Sequence, residues 1–312
     1  MGVTKERALK AIAAKARMRA GMDYDASALL PEREVDVYMK SLDPTYKRFA
    51  EFYKAENLTR GGHPDYNYLA VPENLGQTEE GNISTLFMDL KNFTKYCCFL
   101  SKQDVYQAKA ATIESAIGVC RIHGGHLHDI PGDGVMFFFG GKGTTDLDAA
   151  KHALDAAADV MNLLEEEVIP QYNNSSQYPS IHPKVGIDFG TALWGALGAP
   201  PVFEVKATGF NVDIANKMMS KRNSQEVAIG EDLKKLLAIS EDEYLETGWC
   251  YERQMTVNGV VKNICYKTWV FDWRKHLRER DDADKDLAQI GVIYAPAVVT
   301  GSRTTLGDAP LA

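Results

Sequence analysis

Two aspartates stand out by their surroundings. Asp89 closes the apolar run ISTLFMDL that begins at Ile83, and the polar turn Lys91-Asn92-Phe93-Thr94 follows at once. Asp133 sits in Pro131-Gly132-Asp133-Gly134, where flanking glycines let the backbone turn tightly around a carboxylate. Two carboxylates carried side by side on buried strands repel each other unless a cation lies between them, which suits a metal site. Mg2+ or Mn2+ fits such a site, since hard cations take carboxylate and phosphate oxygens and keep several waters. Asp is equally favoured as a helix cap, for Asp89, and as a turn residue, for Asp133, so the residues alone leave both readings open.

The elements that must bring these residues together follow from periodicity. ISTLFMDL reads as a buried strand and 104–123 as an apolar-periodic helix. GGHLHDIPGDGVMFFFGG then places Asp133 in the turn of a hairpin. A long helix follows over 145–167, then PKVGIDFGTALWGALG as a second strand pair and ATGFNVDIANKMMSK as a helix opened by a glycine. EVAIG reads as a strand, EDLKKLLA as a helix, and YERQMTVNGVVKNICYKTWVFDW as a hairpin turning at Asn258-Gly259. This order predicts an α+β fold, a mostly antiparallel sheet with helices on one face. Residues 1–80 read as a helical N-terminal extension and linker, 81–273 as the main domain and 274–312 as a tail that starts charged and ends mobile. Within the extension, a charged, alanine-rich helix near 5–20 precedes an amphipathic helix over 32–56 that Pro44 breaks or kinks. A Gly/Pro-rich crossing occupies 60–82.

At 312 residues the chain has the length for one substantial core with appendages. Its 35 basic and 43 acidic residues leave a formal charge of -8, which opposes nonspecific attraction to nucleic acid, so no nucleic-acid partner is expected. No apolar run has the length of a membrane span and the opening residues lack a signal-peptide pattern, so the expected location is cytoplasmic. Cys97, Cys98, Cys120, Cys250 and Cys265 show no CxxC spacing, which points to reduced structural thiols rather than a disulfide framework or a zinc site.

FMDLKNFT resembles the class III adenylate/guanylate cyclase motif of Phe-x-Asp followed by Phe-Thr, and GGHLHDIPGDGVMFFF resembles that family's Gly-Gly … Gly-Asp hairpin, at matching spacing. VGIDFGTALWGALG is similar to its glycine-punctuated strand pair and ATGFNVDIANKM to its next strand-to-helix segment, so the likeness covers 82–271. The resemblance implies a nucleotidyl cyclase in which Asp89 and Asp133, with the backbone at Leu90, hold two Mn2+ or Mg2+ ions per site. The backbone around Asn92, Phe93 and Thr94 cradles the triphosphate. It also implies a head-to-tail homodimer with shared active sites, in which one copy supplies the metals and the other supplies the segment bearing Asp213 and Lys217. His126 and His128 flank the metal hairpin and read as packing or solvent contacts.

The base-reading residues depart from the purine enzymes. The family's hairpin lysine and later aspartate align with Asp129 and Lys206, so the charges are exchanged. A lysine only donates and an ionised aspartate only accepts, so this pair cannot read adenine in the same geometry. The family's ribose-binding asparagine aligns with Asp213 and its phosphate-binding arginine with Lys217, while the late-hairpin lysine is displaced, with Lys262 a weak substitute. This pattern resembles the pyrimidine cyclases of bacterial Pycsar anti-phage systems, which implies UTP or CTP as substrate, UTP ahead of CTP, and an effector reached through the cyclic nucleotide. An adenylate cyclase with an altered pocket and an inactive nucleotide-binding homologue remain as alternatives.

Overall fold

The apolar run at Ile83 belongs to a longer strand than its hydropathy indicates. In the computed structural model, which describes residues 5–19, 28, 63–71, 74–173, 179–199, 202–257 and 260–289, β1 spans Thr78–Lys91. Its first five positions alternate in exposure, and only from Ile83 to Met88 is it buried on both faces. β1 is hydrogen-bonded along both edges, to β3 (Val135–Gly140) and to β4 (His182–Ala199). The sheet runs β2-β3-β1-β4-β6-β8-β7, with β2 His126–Asp129, β6 Val227–Gly230, β7 Leu245–Val257 and β8 Val260–Phe271. β5 (Val202–Thr208) pairs with the far end of β4. Every pairing is antiparallel except β4 with β6, in line with the expected α+β sheet.

Helices α1 (Lys5–Arg19), α2 (Phe93–Cys97), α3 (Lys102–Ile122) and α4 (Asp146–Leu163) are followed by α5 (Phe210–Ser220), α6 (Glu231–Leu237), α7 (Glu241–Tyr244) and α8 (Trp273–Gln289). Ser101 and Thr145 cap α3 and α4 by accepting from the Asp104 and Asp148 amides at 3.1 Å, each cap worth about 1 kcal/mol. The buried face of α4 is rich in alanine, with six of its eleven buried residues, which lets it lie close on the sheet. The main core forms there, from α3, α4 and α6 against Leu86, Met88, Phe137, Val185 and Ile229. The expectation of helices on one face describes this layer, and α5 adds a second: Ile214, Ala215 and Met218 pack on the opposite face against Ile83, Phe87 and Phe138.

Three expectations need correction. PKVGIDFGTALWGALG is not a strand pair but the single strand β4, and its glycines clear room instead of turning the chain. A Cβ at Gly186 would stand 2.3 Å from the Ala215 carbonyl oxygen of α5. The chain after Arg274 does not leave the domain at once, since α8 docks on α4 through Arg280 to Asp159 at 2.6 Å and His276 to Asp155 at 2.7 Å. Cys250 and Cys265 are joined by a disulfide across the β7–β8 ladder rather than reduced, because the hairpin brings together two cysteines whose spacing carries no motif. Part of the presumed linker is also packed: Tyr66 stacks on Trp194 at 4.4 Å, and Leu69 is fully buried. The helix expected over 32–56, the Asn258-Gly259 turn and the last dozen residues lie outside the described residues.

Buried in β4, Asp188 accepts from the Tyr266 hydroxyl at 2.6 Å. Burial pushes its carboxyl up to about 7 against that hydrogen bond, which favours the ionised form. A folded value above the unfolded one contributes stability in full below about pH 4 and loses it as pH rises through about 7. Between pH 5 and 8 the wild-type unfolding free energy should therefore fall about 2 to 3 kcal/mol further than that of Asp188→Asn. Urea titrations at the two pH values check this, and parallel losses would show that Asp188 titrates normally.

Candidate active site

β1 delivers Asp89 to the rim of the sheet, and the turn between β2 and β3 brings Asp133 to meet it. That approach depends on Gly134, where a Cβ would lie 2.4 Å from the Met88 carbonyl oxygen. Gly132 supplies the left-handed turn at φ 62°. Burial, and after it the negative charge of Asp89, pushes the Asp133 carboxyl up to about 6, so the two carboxylates face one another. Among the described residues no group of three or more His, Cys, Asp or Glu is placed to hold a metal. Two crowded carboxylates nevertheless fit a hard divalent cation, which relieves their repulsion and completes its shell with water and phosphate oxygen. The Leu90 side chain is buried in the core, leaving its carbonyl as the group it can offer.

Lys184, opposite Asp89 in the β1–β4 register, places its ammonium 3.0 Å from the Asp89 carboxylate, and it is almost fully buried. Beside it the chain turns through Asn92 in a left-handed conformation, φ 68°, and enters α2. The Asn92 amide donates to the Ser180 carbonyl at 3.1 Å, so its side chain fixes the turn. Phe93 is half-buried against the main core and Thr94 is exposed, so the backbone amides of this first helical turn are what the segment offers an anion.

The second group lies on β2 and β5. Asp129 of β2 accepts from the Ile130 amide at 2.8 Å and from the Lys206 ammonium of β5 at 3.3 Å. Partial burial raises the Asp129 carboxyl, but the amide and Lys206 outweigh it and hold it below the ordinary carboxylate value. Lys206 also reaches Glu204 at 3.1 Å, so it stands between two carboxylates. His126 and His128 are packed, as expected. Burial holds both neutral, with His126 well below its usual value and His128 lowered to about 4.

The third group is on the outer side of α5. Asp213 and Lys217 pair across one helical turn, and the Lys217 ammonium lies 5.6 Å from the centre of the Tyr251 ring. The ion pairs Lys184–Asp89, Lys206–Asp129 and Lys217–Asp213 each fall within one group. Lys262 lies on β8, with its side chain outside the described residues. Sequence reading missed Lys184, Glu204 and Tyr251. Lys184 carries no local signal, and only its register opposite Asp89 reveals it. Glu204 carries a usable signal, since it lies two residues from Lys206 on the same side of a strand.

The profile of the adenylate and guanylate cyclase catalytic domain matches residues 75–269. A cytidylate cyclase of Escherichia coli is 33% identical over 234 residues, 72% of this chain and 50% of the relative. A cytidylate cyclase of Staphylococcus aureus is 29% identical over 255 residues, 79% of this chain and 58% of the relative. The chain thus spans between half and three-fifths of the length of these curated relatives. The guanylyl cyclase Cya2 superposes with a TM-score of 0.51 at 19% identity, covering 62% of this chain and 92% of that one. The adenylyl cyclase CyaB from P. aeruginosa superposes equally well, at 18% identity over 62% and 95% of the two chains. At such identities these likenesses speak for the fold alone.

Proposed function

This chain belongs to the family of adenylate and guanylate cyclase catalytic domains, and from that premise we propose that it converts CTP to 3',5'-cyclic CMP and pyrophosphate. The observation that carries the reading is the pair of facing carboxylates, Asp89 and Asp133, at the end of β1. The ribose 3'-oxygen bonds to the α-phosphorus in line with the departing pyrophosphate, so no protein nucleophile is needed. Two divalent ions, Mn2+ or Mg2+, held by Asp89, Asp133 and the Leu90 carbonyl would acidify the 3'-hydroxyl and neutralise phosphate charge. The first-turn amides of α2 receive the phosphates, and Lys184 supplies a fixed positive charge beside Asp89.

The UTP preference drawn from the sequence gives way here to CTP. Both relatives bear the name cytidylate cyclase, and the arrangement around Lys206 can accept that base. An ammonium between two carboxylates presents acceptor, donor, acceptor. Cytosine meets it with its N4 amine toward a carboxylate and its N3 or O2 toward Lys206. Uracil can meet the same pair with its N3-H toward a carboxylate and a carbonyl toward Lys206, so the names of the relatives decide the choice.

The separation of the groups supports a homodimer with shared sites. Asp213 and Lys217 lie on a different element and make no contact with the metal pair, so a second copy brings them to the ribose and phosphates. Leu193, Leu197 and Phe210 leave large apolar side chains in solvent along the β4–β5 arm and the start of α5, as a surface awaiting that copy would. The cyclic nucleotide would act as a second messenger for an anti-phage effector. Phage plating on cells carrying the chain or its Asp89→Asn form tests that role, and equal plaque counts would remove it. No helix among the described residues is long and apolar enough to cross a membrane, and the proposed site of action is the cytoplasm.

The reaction itself is tested by incubating purified protein with Mn2+ and each of ATP, GTP, CTP and UTP, then resolving the products by mass. Cyclic CMP as the dominant product is expected. Cyclic UMP would restore the UTP preference, cyclic AMP would make the Asp129/Lys206 exchange incidental, and no cyclic product would leave a nucleotide-binding module.

A further inference from the structure

Strand β2 is not regular. Leu127 pairs with Phe137, but the next paired residue is Asp129, opposite Met136, so His128 is an inserted residue in a β-bulge. The insertion decides which way Asp129 faces. Side chains directly opposite one another share a face of the sheet. Leu127 and Phe137 belong to the main core under α3 and α4, whereas Met136 belongs to the opposite face, with Phe138 and Trp194. In a regular strand Asp129 would follow Leu127 by two positions and point into the α3–α4 core, away from Lys206. The bulge turns it out of that core, where its carboxylate meets the Lys206 ammonium at 3.3 Å.

The inserted residue is also clamped. The His128 ring lies tilted on Phe138 at 4.6 Å and edge-on to Trp194 at 6.3 Å, and Trp194 is itself stacked on Tyr66. His128 is 4% exposed, and its Nδ1 is buried without a hydrogen-bond partner. A group that leaves a nitrogen unsatisfied is held there by its ring rather than by its polarity.

We propose that His128 is a positioning residue for base selection: as the bulge residue it rotates Asp129 onto the base-reading face, and its ring, clamped on Phe138 and Trp194, holds that rotation. This rests on the reading of Asp129 and Lys206 as base contacts.

The test compares Asp129→Ala, deletion of His128, His128→Gly and His128→Phe in the full chain. Each is assayed for kcat and KM with CTP, UTP and ATP, and for Mn2+ binding by electron paramagnetic resonance. Deletion of His128 should raise the CTP KM about tenfold and flatten the base preference, while Mn2+ binding stays as in the wild type. Adding Asp129→Ala to the deletion should cost little more, since both changes remove one contact. His128→Phe, which keeps the ring and drops the unsatisfied nitrogen, should retain the preference. If the deletion does not fold, His128→Gly carries the test, because it keeps the chain length but removes the clamped ring, and it should flatten the preference in the same way.

Unchanged preference in the folded deletion, or in His128→Gly where only that variant folds, overturns the positioning role, as does full additivity with Asp129→Ala. If Asp129→Ala itself leaves the preference untouched, the base-contact reading falls and the positioning role falls with it. If only the His128 variants are silent, the positioning role alone is wrong.

Discussion

Replacing Asp89 by asparagine should lower kcat by at least about a thousandfold and weaken Mn2+ binding together with it. The amide keeps the carboxylate's shape and still offers Lys184 an acceptor at the 3.0 Å contact, so the fold should survive. What disappears is one of two negative charges on which the metal site depends. Mn2+ titration by electron paramagnetic resonance and turnover of CTP, measured on the same preparation, check the two halves of the expectation. Metal-dependent turnover persisting near the wild-type rate would remove Asp89 from the metal site.

The second large effect concerns the proposed sharing of sites. Asp89→Asn and Lys217→Ala should each be nearly inactive as homodimers, because every site in either one lacks an essential group. Co-expressed with different tags and purified as a heterodimer, they should recover about half the wild-type activity. In that heterodimer one site combines both lesions and the other combines neither. An inactive heterodimer, or Lys217→Ala homodimers that are themselves fully active, would show that Lys217 does not complete a partner's site. The geometry favours recovery, since Lys217 sits on the outer side of α5 with Asp213 and Tyr251, with no contact to the metal pair of its own chain.

The approach of Asp89 to Asp133 was the most legible part of the candidate site, because its signals are local: an apolar strand ending in Asp89 and two glycines around Asp133. The helices α3 and α4 were legible for the same reason, their caps Ser101 and Thr145 lying just ahead of apolar periodicity. Sequence reading failed where the cause was tertiary. Glycines in β4 looked like turns, yet they answer to α5 lying across them. Helix α8 looked like a charged tail because much of its docking is by ion pairs, Arg280 with Asp159 and His276 with Asp155, in place of an apolar stripe. The bulge at His128 is invisible in HLHD, where strict alternation would group Asp129 with Leu127. Resemblance placed Asp129 near the base, but only the register explains how it faces that way.

The unbroken pairing of β1 with β4, from Thr78 opposite Gly195 to Lys91 opposite His182, bears on how such a domain can be rewired. A one-residue slip would exchange the faces of Phe87 and Met88 and bury the wrong set, so the strand cannot slide. It acts as a gauge of fixed length, about 34 Å, from Glu79, opposite the Trp194 on which Tyr66 stacks, to the Asp89 carboxylate. Insertions or deletions between Thr78 and Asp89 therefore break the enzyme, whereas changes of length ahead of His63 leave the gauge intact.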